Sequence, residues 1–182
     1  MAEANDHVCR FYFAAPADVP PPAGGGELRV VLWRPSLRRP WPRRMFTPPL
    51  AAWWVFHELH VFRNRRYGVL TMYDGDKPVH RSVVTPGWFR FPFMAVDDLQ
   101  IGDTWTDPDY RGRGIASEAI RKVAALERTT CGRLWYLTEE ANLASIRAAE
   151  KAGLSRYRIG HRTRRLGLRL LGAFVPTRES PG

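Results

Sequence analysis

Apolar positions along the chain fall into two periods, and the alternation between them outlines the fold. Runs rich in alternating or β-branched and aromatic residues predict strands at Val8–Ala14, Leu28–Trp33, Gly68–Tyr73, Lys77–Val84, Asp98–Thr106, Arg133–Thr138, Leu154–His161 and Thr163–Leu171. Three stretches carry the 3.6-residue period instead. Leu50–Tyr67 places Ala51, Val55, Leu59 and Phe62 on one face, widened by Trp53, Trp54 and Phe56. Gly114 to about Thr129 places Ile115, Ala116, Ala119, Ile120, Val123 and Ala124 on another. Asn142–Ala152 is the third, with Asn142 as a helix cap and Gly153 as its C-terminal stop.

Breakers separate these elements. Asp74-Gly75-Asp76 between two apolar runs predicts a hairpin. Pro16–Gly26 is too rich in Pro and Gly to be regular, and Arg34–Pro49 holds five prolines and five arginines, which excludes a helix across it and suggests a flap. Thr85–Pro92 reads as a loop bearing Trp88, Phe89 and Phe91. A hairpin followed by strand–helix–strand–helix–strand describes an α/β chain: a mixed sheet covered by helices. The domain reading is an N-terminal strand and Pro/Gly-rich loop over 1–26, one domain over 27–175, and a flexible tail over 176–182.

Composition narrows the partners. With 28 Lys and Arg against 18 Asp and Glu, the 182-residue chain has a formal charge of +10 and favours anionic ligands. Nucleic acid is disfavoured, because the arginines of Arg156–Arg169 alternate with apolar residues as on a strand with one solvated face. The acidic start Met1–Asp6 is no signal peptide, and the apolar run Leu50–Phe56 is too short to span a bilayer. Cys9 and Cys131 form no redox or metal motif, which leaves the cytoplasm as the expected compartment. His57-Glu58-Leu59-His60 resembles a zinc helix but spaces its histidines at i and i+3 rather than i and i+4, so no metal is expected.

One stretch carries chemistry. Tyr110-Arg111-Gly112-Arg113-Gly114-Ile115-Ala116 lies between a strand and a helix. The first turn of a helix has free N–H groups and the positive end of the dipole, and glycines let an anion approach the backbone. Arg111 and Arg113 add charge, so the stretch reads as a pyrophosphate cradle. It lacks the third Gly of a dinucleotide fingerprint and the Gly-Lys-Ser/Thr of a Walker loop. The spacing Arg111-x-x-Gly114-x-Ala116, followed one strand later by Asn142-x-x-Ser145…Gly153-Leu154, resembles the acyl-coenzyme-A signature of the GCN5-related N-acetyltransferase (GNAT) superfamily.

That resemblance spans about Leu28 to Leu171 and implies the GNAT fold, a mostly antiparallel mixed sheet flanked by helices. It implies acetyl-CoA as cosubstrate, with the amides of Arg111, Gly112, Arg113, Gly114, Ile115 and Ala116 on its pyrophosphate. It implies further that Thr104, Trp105 and Thr106 face the pantetheine and thioester, and that Asn142 and Ser145 touch the cofactor. The tyrosine that often protonates the leaving thiolate is replaced by Ala149, and Tyr110, Tyr136 and Tyr157 are the phenols nearest in sequence.

Direct attack by an amine on a thioester needs a base within hydrogen-bond or one-water reach. His80 and Asp103 are the candidates, each on a strand beside the expected cleft. The function expected is N-acetyl transfer to a small-molecule amine that can be anionic, a nucleotide-linked amino sugar being one instance. A protein or peptide amine and a non-catalytic acyl-CoA-binding domain are the alternatives, and a homodimer is compatible with either. The positive charge argues against Lys-rich tails as acceptors.

Overall fold

Strand alternation and one parallel pairing organise the protein. The structure is a computed structural model that describes residues 8–23, 28–36, 48–163 and 172–177. Its strands are β1 (Val8–Ala14), β2 (Arg29–Trp33), β3 (Gly68–Asp74), β4 (Lys77–Pro86), β5 (Leu99–Thr106), β6 (Leu134–Glu139), β7 (Ser155–Arg162) and β8 (Phe174–Pro176), with helices α1 (Pro48–Glu58), α2 (Ile115–Leu126) and α3 (Leu143–Ala152). All eight strands form one sheet in the order β2-β3-β4-β5-β6-β1-β7-β8. Every neighbouring pair is antiparallel except β5–β6, which is parallel. The mixed, mostly antiparallel sheet matches the fold expected from the sequence.

Each face of the sheet buries its own cluster. Leu70, Met72, Val84, Ile101, Tyr12 and Tyr136 pack under α2 and α3, against Ile115, Ala119, Ile120, Val123, Ile146 and Ala149. On the other face Tyr67, Val69, Val83 and Trp135 pack with Leu50 of α1 and with Trp88, Phe91 and Met94 of the aromatic loop. The first strand lies between β6 and β7, where it pairs Phe11 with Leu137 on one side and with Arg158 on the other.

Three expectations change. The helix expected to reach Tyr67 ends at Glu58, because His60 adopts a left-handed φ of 56° and breaks the ladder. Its expected buried face is also rotated: Val55 and Leu59 are exposed, while Leu50, Trp53 and Phe56 join the core. An almost uniformly apolar helix has no sharp stripe from which to read its orientation. Pro176, expected to open the C-terminal tail, instead pairs with Gly160 in β8, and the rest of that tail from residue 178 lies outside the described residues. The strand expected over Thr163–Leu171 lies outside the described residues beyond Thr163, as does most of the Arg34–Pro49 segment.

The parallel pair is short. Only Leu99–Leu134, Gln100–Trp135 and Ile101–Tyr136 are in register, after which the two strands part. Their joined ends are tied by Asp98, a 2% exposed carboxylate. It accepts from the Ala95 amide at 2.9 Å, the Arg133 amide at 2.9 Å and the Trp135 indole N–H at 2.8 Å. Three donors converge on two oxygens, a demand that only a carboxylate meets. The expected result for Asp98→Asn, whose amide would turn an N–H toward one of these donors, is a loss of about 1–3 kcal/mol of stability. Urea unfolding at neutral pH measures it.

Candidate functional site

The glycines at the start of α2 hold the backbone in conformations that only they adopt freely. Gly112 has φ 76° and Gly114, the N-cap, φ 77°. A Cβ on Gly112 would meet nothing within 4 Å, so that position is open toward a ligand. At Gly114 the nearest atom to such a Cβ would be the Lys151 Nζ, 3.4 Å away. The first-turn amides of α2 have no intrahelical partner and, with the helix dipole, favour an anion here. A cavity of about 490 Å3 adjoins the turn, lined in part by Val30, Met72, Tyr110 and Lys122. Gly112, Gly114, Ile115 and Ala116 therefore form a cradle that fits a pyrophosphate.

The two cradle arginines are engaged by the loop itself. Arg111 Nε donates to the Thr106 carbonyl at 3.2 Å, and Arg113 donates to the Asp109 carbonyl at 2.9 Å while stacking 4.9 Å over the Tyr110 ring. Tyr110 donates its O–H to Asp74 at 2.5 Å, and Lys77 pairs with Asp107 at 3.0 Å. These contacts brace the turn from three sides. A cation beside Gly114 with no ion pair among the described residues is Lys151, which sequence reasoning missed: it stands in the last turn of α3 and reaches α2 through the packing of the two helices. Asn142 caps α3 by accepting from the Ser145 amide at 3.1 Å. Its side-chain NH2 remains as a donor for a ligand.

Strand alternation separates the two candidate bases. His80 and Arg81 are consecutive on β4, so their side chains leave opposite faces of the sheet. His80 is 0% exposed and its ring nitrogens contact Thr106 Oγ1 at 2.8 Å and Ser82 Oγ at 2.9 Å. Ser82 in turn contacts Thr104 Oγ1 at 3.5 Å. Burial, aided by the charge of Arg81, lowers the His80 pKa to about 4, so the ring is neutral at pH 7. Its enclosure gives it a positioning place behind Thr104 and Thr106. Trp105, opposite Arg81 in register, faces the other way and is 37% exposed.

Asp103 lies where the β4–β5 register shifts, with a left-handed φ of 43°. That irregularity re-aims its side chain beside Arg81, whose terminal nitrogen lies 3.2 Å from both carboxylate oxygens. Asp103 lines a second cavity of about 340 Å3, together with Glu139 of β6, Arg162 of β7 and the rings of Phe91 and Phe174. The cavity occupies the gap that opens once β5 and β6 part. Cys9 lines it too, its thiol pushed up by burial and then by Glu139. Glu139, Arg162, Cys9 and Phe174 carried no sequence signal, because they come from strands distant in the chain that only the sheet order unites.

None of the phenols expected near the cleft stands free at it. Tyr110 is committed to Asp74, Tyr136 is 3% exposed under α2 and α3, and Tyr157 packs edge-on against Phe13 and Trp135. Ala149 is fully buried in the α2–α3 core. A further phenol comes from β1: Tyr12 donates to Glu150 at 3.0 Å, next in the chain to Ala149. Among the described residues no cluster of three or more His, Cys, Asp or Glu could hold a metal, and no helix is long and apolar enough to cross a membrane.

The model of the Acetyltransferase (GNAT) family matches residues 29–154. No curated protein matches the chain. Among solved structures, a protein from Novosphingobium aromaticivorans described as a GNAT-family acetyltransferase is similar at 17% identity and TM-score 0.53, over 84% of this chain and 61% of that one. A functionally unknown conserved protein from Staphylococcus epidermidis is similar at 12% identity and TM-score 0.52, over 84% and 58%. A Drosophila protein is similar at 13% identity and TM-score 0.51, over 85% and 49%. The chain thus spans between half and three-fifths of the length of these structures, and at such identities the likeness is one of fold.

The buried imidazole has a consequence for stability. In the unfolded chain His80 gains its proton near pH 6.5, but in the folded protein only near pH 4. Between these values the unfolded state holds more protons, so stability is complete above pH 6.5 and falls as the pH drops toward 4. A shift of that size corresponds to about 3 kcal/mol. Urea unfolding at pH 7 and pH 5 is expected to show the fall in the wild type and a flatter slope in His80→Gln. The remaining slope includes His57, whose pKa burial also lowers.

Proposed function

The chain belongs to the acetyltransferase (GNAT) family, whose chemistry is acyl transfer, and from that membership we propose that it moves the acetyl group of acetyl-CoA to the primary amine of a small molecule. The observation that carries this reading is the parting of β5 and β6 after three residue pairs, with the glycine cradle at the mouth of α2 and a cavity bearing carboxylates at the gap. Acetyl-CoA supplies an activated acyl group as a thioester. In this reading the amides of Gly112 to Ala116 and the ammonium of Lys151 bind its pyrophosphate. The edges of β5 and β6 that no longer pair, Gly102–Thr106 and Leu137–Glu139, offer backbone donors and acceptors to its amide-bearing arm. Asn142 adds its side-chain NH2.

Asp103 is the residue we assign to the amine. Its carboxylate borders the acceptor cavity, whereas His80 is sealed behind Thr104 and Thr106 on the opposite face. Asp103 orients the incoming ammonium and takes its proton, directly or through one water. The neutral nitrogen then attacks the thioester carbonyl, the tetrahedral adduct expels the thiolate, and the second proton shed by the nitrogen passes through solvent, which protonates the sulfur. The cavity of about 340 Å3 is at the small end of ligand sites, so a nucleotide-linked amino sugar would keep its nucleotide outside the described walls.

Gly114→Asp places a carboxylate side chain where an anion is meant to bind. The expected result is loss of coenzyme A binding in a folded variant. Unchanged affinity by calorimetry would remove the cradle from the account.

Asp103→Asn separates two roles. A base typically contributes about a hundred- to ten-thousand-fold in rate. If Asp103 is the base, acetyl transfer to a responsive amine falls by an amount in that range and the acidic limb of the pH–rate profile disappears. An anchoring Asp103 would mainly raise the acceptor KM and leave the profile's shape intact. A variant with the wild-type rate, KM and profile has neither role at this position.

A further inference from the structure

One cation of the gap cavity has no ion pair among the described residues. Arg162 points into the cavity from β7, and its Nε is buried without a hydrogen-bond partner. Among the described residues its guanidinium forms no ion pair, and its contact is with the face of Phe174, 5.5 Å from the ring centroid. Arg66 and Arg81 also have one buried nitrogen without a hydrogen bond, but they and several other arginines are each matched by a carboxylate. Arg81 is paired with Asp103, Arg10 with Glu140, and Arg34 and Arg66 with Glu127. A buried donor left unpaired costs free energy, and in native proteins such a group signals a missing partner. A guanidinium fork suits an oxyanion.

The opposite end of the cavity has the opposite character. Asp103 stands on β5, while β7 follows β6 and β1 in the sheet, with Glu139 of β6 between them and, like Arg162, near Cys9. At about 4.8 Å between neighbouring strands, the β7 backbone lies on the order of 14 Å from that of β5. Phe91 and Phe174 form an apolar wall of the cavity, stacked 5.4 Å apart at an interplanar angle of 19°, with Phe174 on β8 opposite Arg162 in register.

We propose that the acceptor is an amino-carboxylate: its amine lies toward Asp103, its carboxylate on Arg162, and an apolar chain of several bonds separates the two beside Phe91 and Phe174. This rests on the cavity being the acceptor site of the transfer proposed above. Charge balance selects carboxylate over phosphate. Arg81 is matched by Asp103, and Arg162 carries one positive charge that a carboxylate matches. A phosphate would bring about −1.5 to −2 into the site.

The test is binding to the full chain without acyl donor, measured by calorimetry. The probes are ω-aminoalkanoates of increasing length, the alkylamines of the same length and the corresponding aminoalkyl phosphates. The wild type is expected to bind one aminoalkanoate about ten- to a hundredfold more tightly than its alkylamine, the worth of a charge-assisted hydrogen bond. Arg162→Gln, folded by circular dichroism, is expected to bring the two to equal affinity, while Arg162→Lys retains part of the preference. Equal affinities in the wild type, a preference that survives Arg162→Gln, or no binding by any probe overturns the proposal, and tighter binding of the phosphates overturns the choice of carboxylate. Failure of the acyl-transfer reading is visible separately: the aminoalkanoate would bind in an Arg162-dependent way and yet receive no acetyl group from acetyl-CoA.

Discussion

The short parallel clasp between β5 and β6 is the constraint on which the rest of the structure depends. Two neighbouring strands must be joined strongly enough to keep one continuous sheet and yet part soon enough to leave a gap. Asp98 supplies the first requirement, gathering donors from the loop before β5, from the turn before β6 and from the indole of Trp135. The irregularity at Asp103 supplies the second, since a residue at φ 43° cannot continue a regular ladder. Beyond Ile101 and Tyr136 the strands have no mutual register, and their backbone groups are left to bind something else.

The sheet then acts as a partition. On the side of α2 and α3 lie the glycine turn, Lys151 and the hydroxyl chain Thr106–His80–Ser82–Thr104. On the other lie Arg81, Asp103 and the aromatic wall. Alternation along β4 is what assigns His80 to one side and Arg81 to the other. Burial keeps His80 neutral, and a neutral ring can both donate to and accept from its two hydroxyl neighbours without bringing a charge under the helices. The partition is completed by β1, which fills the sheet between β6 and β7 and so brings Arg162 and Cys9 within reach of the gap.

Much of this was legible in the chain. The Asp-Gly hairpin, the turn Arg111–Ala116 at a helix start, and the Asn142 and Gly153 ends of α3 are local signals, and local signals are what a sequence carries most directly. What was not legible is non-local. The end of α1 depends on His60 turning left-handed so that Phe62 can reach the core, although the apolar pattern runs on unbroken. The place of β1 and the pairing of β8 are choices of sheet order, which periodicity does not encode. The phase of β4 and β5 is ambiguous from residue types alone, because the irregularity opposite Ser82 reverses which side chains share a face; this is why His80 and Asp103 read as neighbours of one cleft. Arg162 was one arginine among many until the fold placed it in a cavity with no ion pair among the described residues.

The central claim is that the glycine turn of α2 and the unpaired edges of β5 and β6 form one continuous binding path. Backbone amide chemical shifts during titration with coenzyme A test it most directly, because every residue along the path except Pro reports on itself. The account requires the largest changes at Gly112–Ala116, at Gly102–Thr106 and at Leu137–Glu139, with the outer strands β2 and β3 little affected. Changes confined to the turn, or centred away from both the turn and the gap, would contradict it.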